Sequence, residues 1–562
     1  MKKIKNNLNF IIPVIIVLSV VYVVPLFLNG IMGGDDLLYH LTRFKSLCNQ
    51  FKLGNFHPLI YPEMLNEYGY ASGIFYPDYL FYPFALLNLI GIKTYYCFAL
   101  YYIFVNVCTG LSFFFCSRAI FRDYDKINYN FKAFVIFIFS LLDLYKFRNY
   151  YGRAAVGEFT AMIFVPIVVL GMYHIINFGK KSYILALGMT GILACHILSF
   201  VMACMVLFIV SLYNIKKLVK APYKLAMIGL AALQCMLLSA FIWVPMIEAM
   251  IKCDLTISHG TDLFLRPIWD NYLFTFGGNK IVGTIIICVV IFCSIFLKSP
   301  GHRLLQIITF SAVFLSDCFP WQVIAKIKPI VSIQFPWRFL SVFYFAVLYY
   351  LYLYILNVDP IDKSSKFKKV KKALIILMSV LYLLLISSAS LLSSGLNEKV
   401  KLYEKDIDRV NNVGFLEYAP YNFSLYNKNH TSTYIDNCYS SDELASVNYS
   451  LTELNNDKIT EVEKEITKSG YNVKYATENE ELVLPIINYP GYKIYINNEE
   501  IKNIKTDKYG FIKIRNIPNE GIMDVIYKGT VFQYFSFIIS GISILLLIFV
   551  FFLKNSNKKR LS

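Results

Sequence analysis

The sequence predicts a mainly α-helical, polytopic membrane protein with about 12 transmembrane helices and a C-terminal extracytoplasmic β-sandwich set before the last of them. Three observations carry that prediction. Of 562 residues, 57% are hydrophobic and only 16% charged, with a mean hydropathy of +0.52, against roughly 45–50% and 25% in soluble domains. Apolar runs of about 20 residues recur along most of the chain, more than a water-soluble core can hide. From 394 to 531 the composition changes: Asn, Asp, Glu, Lys and Tyr replace Leu and Ile, and 16 basic residues face 21 acidic ones.

The first apolar run, 10–28, follows Lys2, Lys3 and Lys5 without a small-residue cleavage site, so it reads as a retained signal anchor with a cytoplasmic N-terminus. Further runs lie near 95–117, 131–147, 159–177, 183–197, 198–214, 225–247, 281–297, 304–319, 338–357, 373–393 and 532–553. The stretch 183–214 must be cut into two short helices near His196. The stretch 79–91 has 13 residues, too short to span, and with Pro83 and its Tyr and Phe residues it reads as an interfacial or re-entrant helix.

Threading the spans in alternation puts 25 of the 54 Lys and Arg in short cytoplasmic segments and 13 in the short outer segments 29–94, 146–158, 248–280 and 317–338, which are together longer. The positive-inside rule supports that orientation, with both termini cytoplasmic. The excess charge of +17 therefore sorts by side of the membrane and is no sign of nucleic acid. Of the 12 cysteines, Cys97, Cys108, Cys116, Cys195, Cys204, Cys235, Cys288 and Cys293 sit in apolar runs as small hydrophobes. Their spacing suggests neither zinc nor a disulfide framework.

Three domains follow. Residues 1–393 form a transmembrane domain with a first outer loop at 29–94, residues 394–531 an external domain that is β-rich in 482–531, and residues 532–562 a final helix with a basic cytoplasmic tail. In the external domain, alternating segments at 482–488, 492–496, 511–517 and 523–527 are separated by turn residues such as Pro490-Gly491 and Asn497-Asn498.

Polar residues at or just outside membrane depth are candidate functional groups. The densest cluster, Gly33-Gly34-Asp35-Asp36-Leu37-Leu38-Tyr39-His40-Leu41-Thr42-Arg43, follows the first span. On a helix, Asp36, His40 and Arg43 fall at i, i+4 and i+7 on one polar stripe beside an apolar stripe of Leu37, Leu41, Phe44 and Cys48. The competing account is that Asp35 or Asp36 caps the helix and Arg43 meets solvent or headgroups. Tyr70 and Tyr76, in the Tyr- and Pro-rich remainder of the loop, offer rings to stack on a sugar or to anchor at the interface.

The next short outer loop carries Arg148, Arg153 and Glu158. Two guanidinium groups can hold a phosphate or simply lipid headgroups, and Glu158 can support them. His196 ends a short span on the same side; a lone His is more often a packing residue than a ligand. The last outer group is Gln334-Phe335-Pro336-Trp337-Arg338, where Arg338 suits a lipid-linked phosphate and Trp337 equally suits the aromatic belt.

At these residues the chain resembles the GT-C superfamily of polytopic glycosyltransferases, in particular the bacterial YfhO-like membrane proteins and those labelled 6-pyruvoyl-tetrahydropterin synthase-related. The resemblance rests on the Gly34 to Arg43 segment, the Tyr-Gly and Phe-Tyr-Pro pieces at 68–77, the Arg153 to Glu158 loop, Gln334 to Arg338, and Tyr489-Pro490-Gly491-Tyr492. It implies transfer of a sugar from a polyprenyl-phosphate donor to an envelope glycan such as teichoic or lipoteichoic acid, a lipid or a protein, on the outer face of the cell membrane and inverting the anomeric centre. It implies Asp36 as catalytic base, with Asp35 and Glu158 as further acids. Substrate contacts then fall to His40, Arg43, Tyr70, Tyr76, Arg148, Arg153, His196, Gln334, Trp337 and Arg338. The family commonly has His-Asp where this chain has Asp35-Asp36, which leaves the part of Asp35 open. No pterin chemistry is implied, since a His-rich zinc motif is absent from the sequence. The resemblance fixes no cofactor and no metal site is assigned; Asp35, Asp36, His40 and Glu158 could complete a divalent-cation site.

A lipid donor carries its energy in the phosphoester and calls for no nucleotide-sugar or Walker-type motif. Two other classes compete: a transporter or flippase of lipid-linked sugars, and a membrane scaffold without chemistry. A transporter should carry charge deep in several spans, whereas these candidate groups crowd the outer ends.

Overall fold

A computed structural model describes residues 8–28, 30–32, 34, 36–65, 67–124, 129–141, 143–258, 401–402, 418–423 and 460–560. Asp35, Gln334, Trp337 and Arg338, and the spans expected at 281–297, 304–319, 338–357 and 373–393, lie outside the described residues. Within them the chain is mainly helical, with a β domain before the last helix.

Helix α1, Leu8–Val23, runs on through a 3₁₀ turn to Phe27. The outer helix α2, Leu37–Lys52, follows, with its expected apolar stripe of Leu37, Leu41, Phe44 and Cys48 buried. A short helix α3, Tyr82–Leu89, opens with Pro83 in its first turn, where the missing N–H costs nothing. It packs on α2 and on the long helix α4, Thr94–Tyr124, as expected of a segment too short to span. Helix α5, Tyr129–Leu141, returns along α4. Next come α6, Val156–Ala161, and α7, Val165–Phe178, which ends on Gly179 in the left-handed conformation (φ 60°). Helices α8, Ser182–Leu193, and α9, Ile197–Tyr213, divide at His196 as the sequence predicted.

Among the described residues, four helical stretches are long and apolar enough to cross a membrane: Leu8–Phe27, Thr94–Tyr124, Val156–Phe178 and Val531–Val550. The run expected as one span at 225–247 is instead a bent pair, α10, Pro222–Leu238, and α11, Ala240–Lys252, meeting at 72°. Two local causes are visible. Ser239 at the joint turns its hydroxyl back onto the Cys235 carbonyl (2.6 Å), and Pro245 removes a backbone donor from the second half.

The β domain has two sheets. Strands β1 (Thr460–Thr467), β2 (Gly470–Thr477), β4 (Tyr492–Ile496), β5 (Glu499–Ile501) and β8 (Glu520–Tyr527) form one, in the order β1-β2-β8-β4-β5. Strands β3 (Glu481–Ile487), β6 (Lys505–Thr506) and β7 (Phe511–Arg515) form the other, in the order β3-β7-β6. Asn497 and Asn498 both adopt positive φ (51° and 68°), as a two-residue hairpin turn between β4 and β5 requires. The four segments expected from alternation are β3, β4, β7 and most of β8, whereas β1 and β2 extend the β region upstream of its expected start at 482.

One apolar core joins this domain to the first outer loop. Leu482, Leu484, Ile494 and Phe511 belong to the same buried cluster as Phe44, Tyr61 and Ile74. Polar bonds fix the seam: the Tyr471 hydroxyl donates to the Pro62 carbonyl (2.9 Å), and the Ile487 N–H to the Tyr68 carbonyl (2.8 Å). The final helix α12, Val531–Arg560, packs against α10 and α11. There the Glu248 carboxylate accepts from Thr530 Oγ1 (2.6 Å) and Gln533 Nε2 (3.2 Å).

Candidate active site

The two outer loops are locked together through their backbones first. The Asp36 N–H donates to the Arg153 carbonyl (2.9 Å). A Cβ built on Gly34 would lie 1.7 Å from the Gly152 carbonyl oxygen, so only glycine allows this approach. We therefore expect Gly34→Ala to part the loops and to destabilise the purified protein by about 1–3 kcal/mol, as overpacking does. Gly229→Ala, on α10 where a Cβ meets nothing within 4 Å, is expected to leave the thermal midpoint unchanged or higher.

The second loop is itself strongly organised. Arg148–Gly152 is a turn of π-helix, a form often found at functional sites. Ala154 takes a left-handed backbone (φ 56°), uncommon for a residue with a side chain. The Arg153 N–H donates to the Arg148 carbonyl (2.9 Å) and the Ala155 N–H to the Asn149 carbonyl (2.9 Å). This backbone aims Arg153 sideways.

Asp36 stands at the N-cap of α2, yet its carboxylate makes no capping bond. It turns instead to Arg153, whose Nη2 lies 2.8 Å from Asp36 Oδ2 and whose Nη1 lies 3.1 Å from Glu158 Oε1. The Tyr145 hydroxyl donates to the other oxygen of Glu158. Burial works against the charge of Arg153, but the Glu158 and Asp36 carboxylates more than offset this and hold the guanidinium above its ordinary pKa. Exposure separates the two acids: the Asp36 side chain is 21% exposed and that of Glu158 5%. Asp36 can meet a substrate, and Glu158 faces Arg153.

Two turns along α2 from Asp36, the Arg43 guanidinium donates from Nη1 to His40 Nδ1 (3.2 Å) and pairs through Nε with Asp78 (2.7 Å). Arginine has only donors, so His40 Nδ1 is the acceptor and its proton sits on Nε2. Burial, and then the charge of Arg43, push the His40 pKa well below its ordinary value, which keeps the ring neutral. His196 has the same tautomer for another reason. It caps α9, its Nδ1 accepting from the Ser199 N–H (3.2 Å), which leaves Nε2 protonated in the neutral ring.

Tyr76 stands between these groups. Its ring lies 5.9 Å from that of His40 and 6.1 Å from that of His196, with the Arg43 guanidinium 5.2 Å from its centroid and Tyr418 at 5.9 Å. His196 is also in reach of the second loop, since a Cβ on Gly157 would lie 3.1 Å from its Cδ2. Asp36, His40, Tyr76, Arg153, Glu158 and His196 thus belong to one site. Arg43 is a buried partner of Asp78, where the sequence offered it to a substrate or to solvent. Tyr70 is fully buried and pairs by its backbone with Tyr61, and the Arg148 side chain is half-buried.

Sequence reasoning passed over Asp78 and Tyr145. Asp78 had a signal, a lone carboxylate immediately before the aromatic interfacial segment 79–91; Tyr145 had none. Among the described residues, no three His, Cys, Asp or Glu side chains gather closely enough to hold a metal ion.

No protein-family model matches the chain, and no curated protein does either. Among solved structures it is similar to the arabinofuranosyltransferase AftD from Mycobacteria, at 12% identity and a TM-score of 0.36, over 61% of this chain and 26% of that one. A point mutant of the same protein gives 12% identity and a TM-score of 0.37, with 61% and 27% covered. The chain thus spans about a quarter of the length of the solved proteins it matches.

Proposed function

We propose that the chain is a membrane glycosyltransferase that moves a sugar from a polyprenyl-phosphate donor to a hydroxyl of an envelope glycan, lipid or protein, on the outer face of the cell membrane. The observation that carries this reading is the Asp36 carboxylate. It forgoes its helix cap and is held, partly exposed, by an arginine that a buried second acid secures. Such an acid can take the proton of an acceptor hydroxyl as that oxygen bonds to the anomeric carbon and the bond to the lipid phosphate breaks.

Arg153, bound to two carboxylates, orients Asp36. We assign Arg338, with Gln334 and Trp337 of the same sequence motif, to the departing phosphate, and the protonated Nε2 atoms of His40 and His196 to sugar oxygens around the Tyr76 ring. Attack from the face opposite the phosphate inverts the anomeric centre. The spans alternate so that both termini are cytoplasmic and the Asp36 site is outside.

A transporter reading can draw on the bent pair of helices, since broken helices line transporter sites. The carboxylate near that bend, Glu248, is however bound by Thr530, Gln533 and Lys252, which makes it a fastening between helices. The test is transfer of a radiolabelled sugar from polyprenyl phosphate to envelope extracts by the purified full chain in liposomes. We expect labelled product with the wild-type chain. Movement of the labelled lipid between leaflets without product would replace this proposal by the transporter reading.

A further inference from the structure

A second series of buried polar groups runs into the candidate site from the first outer loop, and the proposed reaction does not account for it. The Tyr61 hydroxyl donates to Asp78 Oδ2 (2.5 Å), Asp78 Oδ1 pairs with Arg43 Nε (2.7 Å), and Arg43 Nη1 donates to His40 Nδ1 (3.2 Å). All four residues are buried. The series is firmly footed. Tyr61 and Tyr70 exchange both of their backbone bonds (2.9 and 3.1 Å), in the loop segment to which the β domain is fastened at Pro62 and Tyr68. The Arg43 guanidinium also lies 4.8 Å from the centre of the Phe81 ring and 5.2 Å from that of Tyr76, which limits how far its plane can turn.

Burial works against the charge of Arg43, but the Asp78 carboxylate foremost offsets this and holds the guanidinium above its ordinary pKa. An ion pair made only for the fold would commonly take two nitrogens of the fork to one carboxylate. Here the fork is divided between an acid at Nε and an imidazole nitrogen at Nη1, and a guanidinium can bond that nitrogen only while the ring is neutral. A neutral imidazole is free to carry its proton on either nitrogen, and the bond made at one of them decides the other. Burial, then the charges of Arg43, His196 and Arg153, push the His40 pKa down. His40 therefore stands close to the arginine that holds Asp36.

We propose that Tyr61 and Asp78 are positioning residues that clamp Arg43 so that His40 is fixed as a neutral ring with its proton on Nε2. The clamp gives the site a hydrogen-bond donor of fixed direction, suited to an oxygen of the transferred sugar. That use of the donor rests on the sugar-transfer reading, whereas the clamp itself does not.

The test has two arms, both on the full chain in liposomes. Nitrogen-15 NMR of labelled histidine reads the His40 tautomer directly, with His40→Gln identifying its signals. The wild-type chain should show Nε2 protonated and Nδ1 bare. Arg43→Lys keeps the charge and the pair with Asp78 but loses the fork that reaches His40, and Asp78→Asn keeps the shape but releases Arg43 Nε. In each variant a signal from protonated Nδ1 should appear. Steady-state transfer kinetics are the second arm. Each variant should raise the KM for the polyprenyl-phosphate sugar about tenfold, the scale of one hydrogen bond, with little change in kcat. In a His40→Gln background neither should raise it further. Both tautomers in the wild-type spectrum would overturn the proposal whether or not the variants fold, as would an unchanged spectrum in Arg43→Lys and Asp78→Asn. Losses that add to that of His40→Gln would overturn it too, since Asp78 would then act on the fold alone. Absence of transfer by the wild-type chain would count against the sugar-transfer reading and leave the spectra to decide the clamp.

Discussion

Asp36→Asn is expected to lower the transfer rate by about 10²–10⁴-fold, the usual contribution of a positioned general base, while the protein folds as before. Asparagine is nearly isosteric and can still accept from Arg153 through its amide oxygen, and the backbone bond from residue 36 to the Arg153 carbonyl is untouched. What it lacks is a lone pair basic enough to take the acceptor proton. The loss is equivalent to about 3–5 kcal/mol of transition-state stabilisation. It should appear in kcat with little change in KM, because binding in the ground state does not need the base. Steady-state transfer kinetics beside a thermal unfolding curve would check both halves. Retained transfer in a well-folded Asp36→Asn protein would remove Asp36 from the chemistry, and loss of folding together with transfer would recast it as a structural tie.

Arg153→Met should cost both stability and activity, and a second substitution should separate the two. Removing the guanidinium leaves Glu158, whose side chain is 5% exposed, as a buried carboxylate whose remaining described partner is the Tyr145 hydroxyl. Breaking one side of a buried ion pair costs about 3–5 kcal/mol. Changing Glu158 to Gln in the same protein removes the stranded charge, so the double variant should recover much of the lost thermal midpoint. It should not recover transfer, because Asp36 still lacks the side-chain bond that orients it. If the double variant regained activity along with stability, Arg153 would serve the fold alone. If it regained neither, the Arg153–Glu158 pair would not be the source of the loss.

The sequence alone determined a large part of this protein. Runs of apolar residues long enough to span a bilayer announce themselves, because lipid accepts only segments that satisfy their own backbone; hence 95–117 and 532–553 reappear inside Thr94–Tyr124 and Val531–Arg560. The break at His196 was legible because the apolar run 183–214 is too long for one membrane crossing and too short for two without a sharp turn. Strands β3, β4, β7 and β8 were legible through their alternation. Strand β1 was not: TEVEKEIT carries only Val462 and Ile466 as apolar residues, the pattern of an edge strand whose charges guard against pairing with another chain.

For the candidate site, one turn of helix was enough to put Asp36 beside His40, and the alternation of spans to put Arg153 and Glu158 on the same side. What their side chains do was beyond the sequence. A capping aspartate and a base look alike in one dimension, and only the packed second loop, with Gly34 laid against Gly152, offers Asp36 a stronger partner than its own helix. Arg43 was read as open to substrate because its partner, Asp78, is brought back to α2 by the chain's return through the loop. The bend between α10 and α11 likewise needed Ser239, Pro245 and the fastening of Glu248 to Thr530 to act together. Hydrophobicity and period act locally and are written along the chain, whereas a charge takes its role from whichever opposite charge the fold brings within about 4 Å, and that was decided only by the tertiary structure.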